Sequence, residues 1–144
     1  MEQRGFTFIE ILLSLAAIAI IAAISLPVLQ SFQVRNDLDI AGVTAVQSLR
    51  RAQFLAQAGD NDASWGVVVQ SGSITLFKGL SYAGRDATYD EFFAVPTSIT
   101  PSGVGEVVFA KFSGLPQTTG AIIFTSNINE TRNIVINAKG MVDY

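Results

Sequence analysis

Neither cysteine nor histidine occurs anywhere in the sequence. Without thiols there is no disulfide and no thiolate metal site. Without imidazole there is no histidine-based metal site and no histidine-dependent acid–base or triad chemistry. Charge is also sparse, at 15% of residues with a formal net value of -3. The basic residues are scattered, and Arg50-Arg51 is their only adjacent pair. A duplex-binding face needs several lysines or arginines converging on one surface, so nucleic acid is not expected as a partner. The acidic residues form no pair that spacing alone assigns as general acid and base. No enzyme activity, catalytic residue, cofactor or metal is therefore expected. Asp60-Asn61-Asp62 offers hard oxygen ligands of the kind calcium takes, but a solvated cap after a helix is the simpler reading. Asn129-Glu130-Thr131 fits the N-glycosylation pattern and fits a turn equally well.

What the sequence does have is one long apolar run. From Phe6 to Leu29 the only formally charged side chain is Glu10, and the run exceeds the about 20 apolar residues that a helix needs to cross a bilayer. It is apolar all round, unlike the one-sided helix of a small soluble domain. A secretory signal peptide would place a small-residue cleavage site after a short apolar run. Here the run continues past Ala22-Ala23 through Ile24, Leu26, Val28 and Leu29.

An ionised carboxylate in hydrocarbon costs several kcal/mol unless it is partnered. Glu10 lies one turn inside the run, close to where a new amine would appear if the chain were cut after Gly5. An α-amine with a pKa of about 8 is cationic at neutral pH, so the two charges would neutralise each other between staggered neighbouring chains. The alternative is that Glu10 snorkels to the interface. Pro27 should bend or loosen the helix, or mark its exit from the membrane.

Beyond Pro27 the helical pattern persists. Leu38, Gly42, Ala45, Leu49, Ala52 and Ala56 recur at three- and four-residue spacing, which predicts an amphipathic helix to Ala58, stopped by Gly59. A helix over 6–58 would be about 80 Å long at 1.5 Å per residue. The period then changes to that of strands. The sequence predicts a hairpin of 65–69 and 73–80 around Ser71-Gly72, a polar loop over 81–90, and a short strand over 91–95 closed by Pro96. Strands are further expected over 106–112, 120–126 and 131–138, with a last turn and short strand over 139–142. Trp65 and the phenylalanines at 92, 93, 109, 112 and 124 read as core. The fold class is α+β: a long N-terminal helix, membrane-spanning in its first half and amphipathic in its second, packed against antiparallel sheet.

The run Gly5-Phe6-Thr7-Phe8-Ile9-Glu10, continued by Ile11-Leu12-Leu13-Ser14-Leu15, resembles the N-terminal signal of type IV pilins and type II secretion pseudopilins. Arg4 matches the basic residue before the glycine. The resemblance implies cleavage between Gly5 and Phe6, N-methylation of Phe6, a subunit-docking role for Glu10 and a helix-loosening role for Pro27. It also implies a prepilin leader at 1–5, a transmembrane helix at 6–29, its amphipathic continuation at 30–58 and a β-rich domain at 59–144. The C-terminal part looks like the H-type minor pseudopilin and FimT-like group. That likeness rests on Phe109, Gly114-Leu115-Pro116, Gly120-Ala121-Ile122-Ile123-Phe124, Arg132 to Asn137 and Lys139 to Val142, with Arg51-Ala52-Gln53 and Ala56 at the helix end.

By this resemblance the expected function is structural: a minor pseudopilin supporting protein secretion. The alternatives are a major or minor type IV pilin in adhesion, motility or DNA uptake, and a membrane-anchored binding protein outside any filament. The implied partners are other pilin or pseudopilin subunits, the prepilin peptidase/methyltransferase, the inner-membrane assembly platform and the lipid bilayer. The implied location is a single pass through the cytoplasmic (inner) membrane, with the C-terminal domain outside the cytoplasm. A DNA-binding FimT-like protein would need a basic surface, and the segment near the end offers only Arg132 and Lys139.

Overall fold

A computed structural model describes residues 5–144, with the side chains of 24–28 excepted. The expected leader residues before Gly5, Arg4 among them, lie outside the described residues. The chain forms two compact units, 1–33 and 34–144, and one helix, α1, runs through the boundary from Phe8 to Ala58. In the first unit every described side chain from Phe8 to Ala23 is exposed. Pro27 lies where the backbone is helical, but the loosening expected there falls on a side chain outside the described residues. Among the described residues no helix is long and apolar enough to cross a membrane. The expected span of 6–29 includes positions 24–28, whose side chains lie outside the described residues.

In the second unit α1 presents one stripe to the core. All six stripe positions read from the sequence are buried, Leu38, Gly42, Ala45, Leu49, Ala52 and Ala56, joined by Ala41, Val46 and Ser48. Gly42 leaves room for the Tyr144 ring, which a Cβ there would strike. The helix ends where Gly59 takes a left-handed backbone, φ 66, and a 3-10 turn over Asp60–Asp62 follows.

Eight strands follow: β1 (Trp65–Gln70), β2 (Ser73–Lys78), β3 (Asp86–Ala94), β4 (Ile99–Gly103), β5 (Glu106–Phe109), β6 (Gly120–Ser126), β7 (Thr131–Ile136) and β8 (Val142–Asp143). They form two antiparallel four-stranded sheets, β3-β2-β1-β5 and β4-β6-β7-β8, both of which share one core with α1. Phe109 and Phe124 are fully buried there, each contributing roughly 1.5–3 kcal/mol by apolar burial. The first sheet is also covered on its other face. Val68, Phe77 and Val108 make a small second cluster beneath Tyr82, so β1 is buried on both faces.

The segment 79–85 is the strap over that cluster. The Tyr82 backbone N–H donates to Glu106 Oε1 (2.8 Å), and its ring meets Phe77 edge-on at 5.6 Å. Arg85 stacks on the Tyr82 ring, donates to the Tyr82 carbonyl (2.8 Å) and pairs with Asp90 at 2.7 Å.

The fold class stands as expected, α+β and pilin-like, while several details differ. Eight strands in two sheets stand where six strands and a last short one were expected. β3 begins at Asp86, inside the expected polar loop, because pairing with β2 draws it in. β4 was not foreseen, since it contains Pro101 and ends in Gly103. β5 stops at Phe109 rather than 112: the Ala110 N–H turns to the Leu115 carbonyl and the Phe112 N–H to that of Ala56. β7 stops at Ile136 rather than 138, where Asn137 Oδ1 accepts from the N–H groups of Lys139 and Met141. Trp65, Phe109 and Phe124 are core, but Phe92 is 66% and Phe112 67% exposed.

Candidate processing and assembly site

Gly5, Phe6 and Thr7 precede α1 without regular structure and are exposed. A Cβ at Gly5 would meet nothing within 4 Å, so nothing packed against this position requires glycine. The Phe6 side chain is 80% exposed.

One turn on, Thr7 and Glu10 cap the helix reciprocally. The Thr7 N–H donates to Glu10 Oε2 at 3.5 Å, and the Glu10 N–H donates to Thr7 Oγ1 at 3.4 Å and to the Thr7 carbonyl at 3.1 Å. This is a capping box, with the carboxylate also placed at the positive end of the helix dipole. Both side-chain bonds are long, so each is weak. Ser14 Oγ donates to the Glu10 carbonyl (2.8 Å), one turn deeper. The structure thus gathers Gly5, Phe6 and Glu10 within one turn of the helix start. The sequence reading overlooked Thr7, although Thr-x-x-Glu before an apolar run is the box's own signature.

Several basic residues of the second unit serve the fold. Arg50 donates to the Val142 carbonyl (3.3 Å), and Arg51 pairs with Glu91 (2.6 Å). Arg132 pairs with Asp39 (2.7 Å). The hydrogen bond to Asp39 raises the Arg132 guanidinium above its usual range, while burial works the other way. Asp60 Oδ2 accepts from Asn61 Nδ2 (2.8 Å), and Asp62 forms an ion pair with Lys111. Among the described residues no group of three acidic side chains is placed to hold a metal ion. Asn129 takes a left-handed turn, φ 61, so the Asn129-Glu130-Thr131 triplet closes the loop between β6 and β7 and enters β7 at Thr131. A cavity of about 270 Å³ beside α1 is lined by Val43, Val46, Gln47, Arg50 and Tyr144, with no aspartate or glutamate among them.

Residues 1–26 match the family model of the prokaryotic N-terminal methylation motif. No solved structure matches the chain. The family match ends before the strands that carry the H-type resemblance, which therefore has no support from it. The chain thus bears, at the head of a pilin-like α+β fold, the N-terminal signal of type IV pilins and pseudopilins.

Proposed function

We propose that the chain is a minor pseudopilin, cut between Gly5 and Phe6, N-methylated on Phe6, and built into a type II secretion pseudopilus that supports protein secretion. The observation that carries this reading is an apolar helix, exposed on every side over 8–23, whose one carboxylate lies a turn from the Gly5–Phe6 junction. Apolar surface of that extent needs lipid or other apolar helices around it. Residues 6–29 serve as the single inner-membrane anchor, and the sheets lie outside the cytoplasm. The open, unpacked backbone at Gly5 suits entry into a prepilin peptidase/methyltransferase, because accessible segments are where proteolysis concentrates.

Cleavage frees the Phe6 amine, a cation near neutral pH. Glu10 of a neighbouring subunit then supplies its counter-charge, and a charge-assisted bond is stronger than the long contacts that Glu10 makes with its own Thr7. Pro27 loosens the helix so that several can pack side by side on the assembly platform. An extended type IV pilus uses the same signal; its DNA-uptake form is disfavoured because Arg132 is committed to Asp39. Glu10→Ala should leave membrane insertion and cleavage intact and reduce incorporation into filaments severalfold, read by fractionation and by blotting of sheared filaments. Normal incorporation of this variant would remove the role assigned to Glu10.

A further inference from the structure

The sheet edges are closed in different ways. β4 has Pro101 at its centre and β8 is two residues long; proline and shortness both blunt an edge. The outer side of β5 is lined by the following segment. There the Ala110 N–H donates to the Leu115 carbonyl (2.9 Å), the Gln117 N–H donates to Val108 (2.8 Å), and Phe109 bridges Pro116. Among the described residues no strand lines the outer side of β3.

The register of β3 slips opposite Leu76–Lys78, but from Glu91 to Ala94 it pairs regularly with Leu76 to Ser73. The Val95 N–H continues that ladder to the Gly72 carbonyl (3.0 Å). By antiparallel alternation Glu91 and Phe93 are then bonded to β2, and Phe92 and Ala94 turn their N–H and C=O groups to the open side. β3 contains no proline, lysine or arginine. A row of unpaired, alternating donors and acceptors is a template for one occupant, a further strand. Phe92 stands beside it, 66% exposed on the sheet face where its partner Thr75 is buried.

We propose that β3 pairs with β3 of a second copy of this chain, antiparallel about a two-fold axis at Phe92. In that register Phe92 faces Phe92, Glu91 faces Phe93 and Asp90 faces Ala94, so no carboxylate opposes another. A shift that centres the axis on Glu91 sets two glutamates opposite each other, which is destabilising. A shift that centres it on Phe93 separates the Phe92 rings. Of these registers only the chosen one joins the exposed Phe92 rings without a like-charge pair, and the contact is isologous. Four regular residues a side form a contact far smaller than the roughly 1,200 Å² of stable interfaces, so the association is transient and is best read by covalent trapping.

The absence of native cysteine makes single-cysteine trapping unambiguous. The full chain in detergent micelles is oxidised with copper phenanthroline and run on non-reducing gels. Phe92→Cys should give a disulfide-linked dimer severalfold more than Leu80→Cys, a residue 71% exposed but off the edge. Adding Ala94→Pro, which removes an outward N–H, should abolish most of that dimer. Glu91→Cys mixed with Phe93→Cys should cross-link, whereas Glu91→Cys alone should not; this second pair keeps the test open if Phe92→Cys fails to fold. Equal trapping at positions 92 and 80, or trapping indifferent to Ala94→Pro, overturns the pairing. Capture of a different chain by Phe92→Cys in intact membranes overturns the choice of a second copy.

Discussion

Gly103 ends β4 with φ +84, and a Cβ there would collide with the backbone carbonyl oxygen of Ala121. The left-handed conformation alone costs an L-residue ~1–2 kcal/mol, and the clash with immobile backbone adds to it. Gly103→Ala should therefore lower stability by at least ~2 kcal/mol, measured from the denaturant midpoint of the full chain in detergent. A loss under ~1 kcal/mol would show that β4 shifts freely against β6. Residues whose roles depend on near neighbours were legible in the sequence: Gly59 as a helix stop, the small residues of the α1 stripe, Glu10 as the odd charge. Phe112 was not. It reads as the end of a strand, yet its backbone N–H is taken by the Ala56 carbonyl and its φ is +64. Only the fold brings those groups together. Thr7 is the opposite case, a cap written in the local pattern and overlooked beside the larger signal of the apolar run.

At the scale of elements, α1 was readable because its period holds over many turns, and β1, β2, β6 and β7 because apolar and β-branched residues concentrate in them. The first half of β3 and all of β4 were not, since Asp86 to Asp90 and Pro101 carry the local chemistry of loops; only the second half of β3, from Glu91, was expected as a strand. Pairing with β2 and β6 makes them strands. The strap over 79–85 likewise depends on distant partners. Asp90 raises the pKa of Arg85, chiefly through their hydrogen bond, against the opposing effect of burial. The sign follows from linkage: a raised folded-state value gives stability that is complete below the unfolded pKa and lost only as pH climbs through the folded one. For a guanidinium that window lies beyond ordinary alkaline conditions, so mutation rather than pH must break the pair. Arg85→Ala should raise hydrogen exchange at the Tyr82 and Gly84 amides severalfold while leaving the amides of β6 and β7 protected. Unchanged exchange in 79–85 would show that the Tyr82 ring and Glu106 hold the strap alone.

At the scale of the whole molecule, the signal at 1–26 and the sheets answer different questions. The signal concerns processing and anchorage, and N-terminal sequencing of the mature protein should begin at Phe6. A start after Ala22 would restore an ordinary signal peptide. The sheets would distinguish one machine from another, and their surface chemistry was the least legible part, because strand count and edge exposure follow from long-range pairing. That pairing also orders the events of folding. Arg35 is tied to Glu130, 95 positions away, and Asp39 to Arg132, 93 away, so the start of the amphipathic stripe is held to the β6–β7 turn and to β7. Contacts of such high sequence separation form slowly. Until β6 and β7 have emerged, Arg35 and Asp39 lack the partners that tie this end of α1 to the second sheet. A chain stalled before residue 120 would leave the second-sheet part of the shared core unfilled, so chaperones and proteases can tell a finished chain from an unfinished one by the apolar surface still open beside one helix.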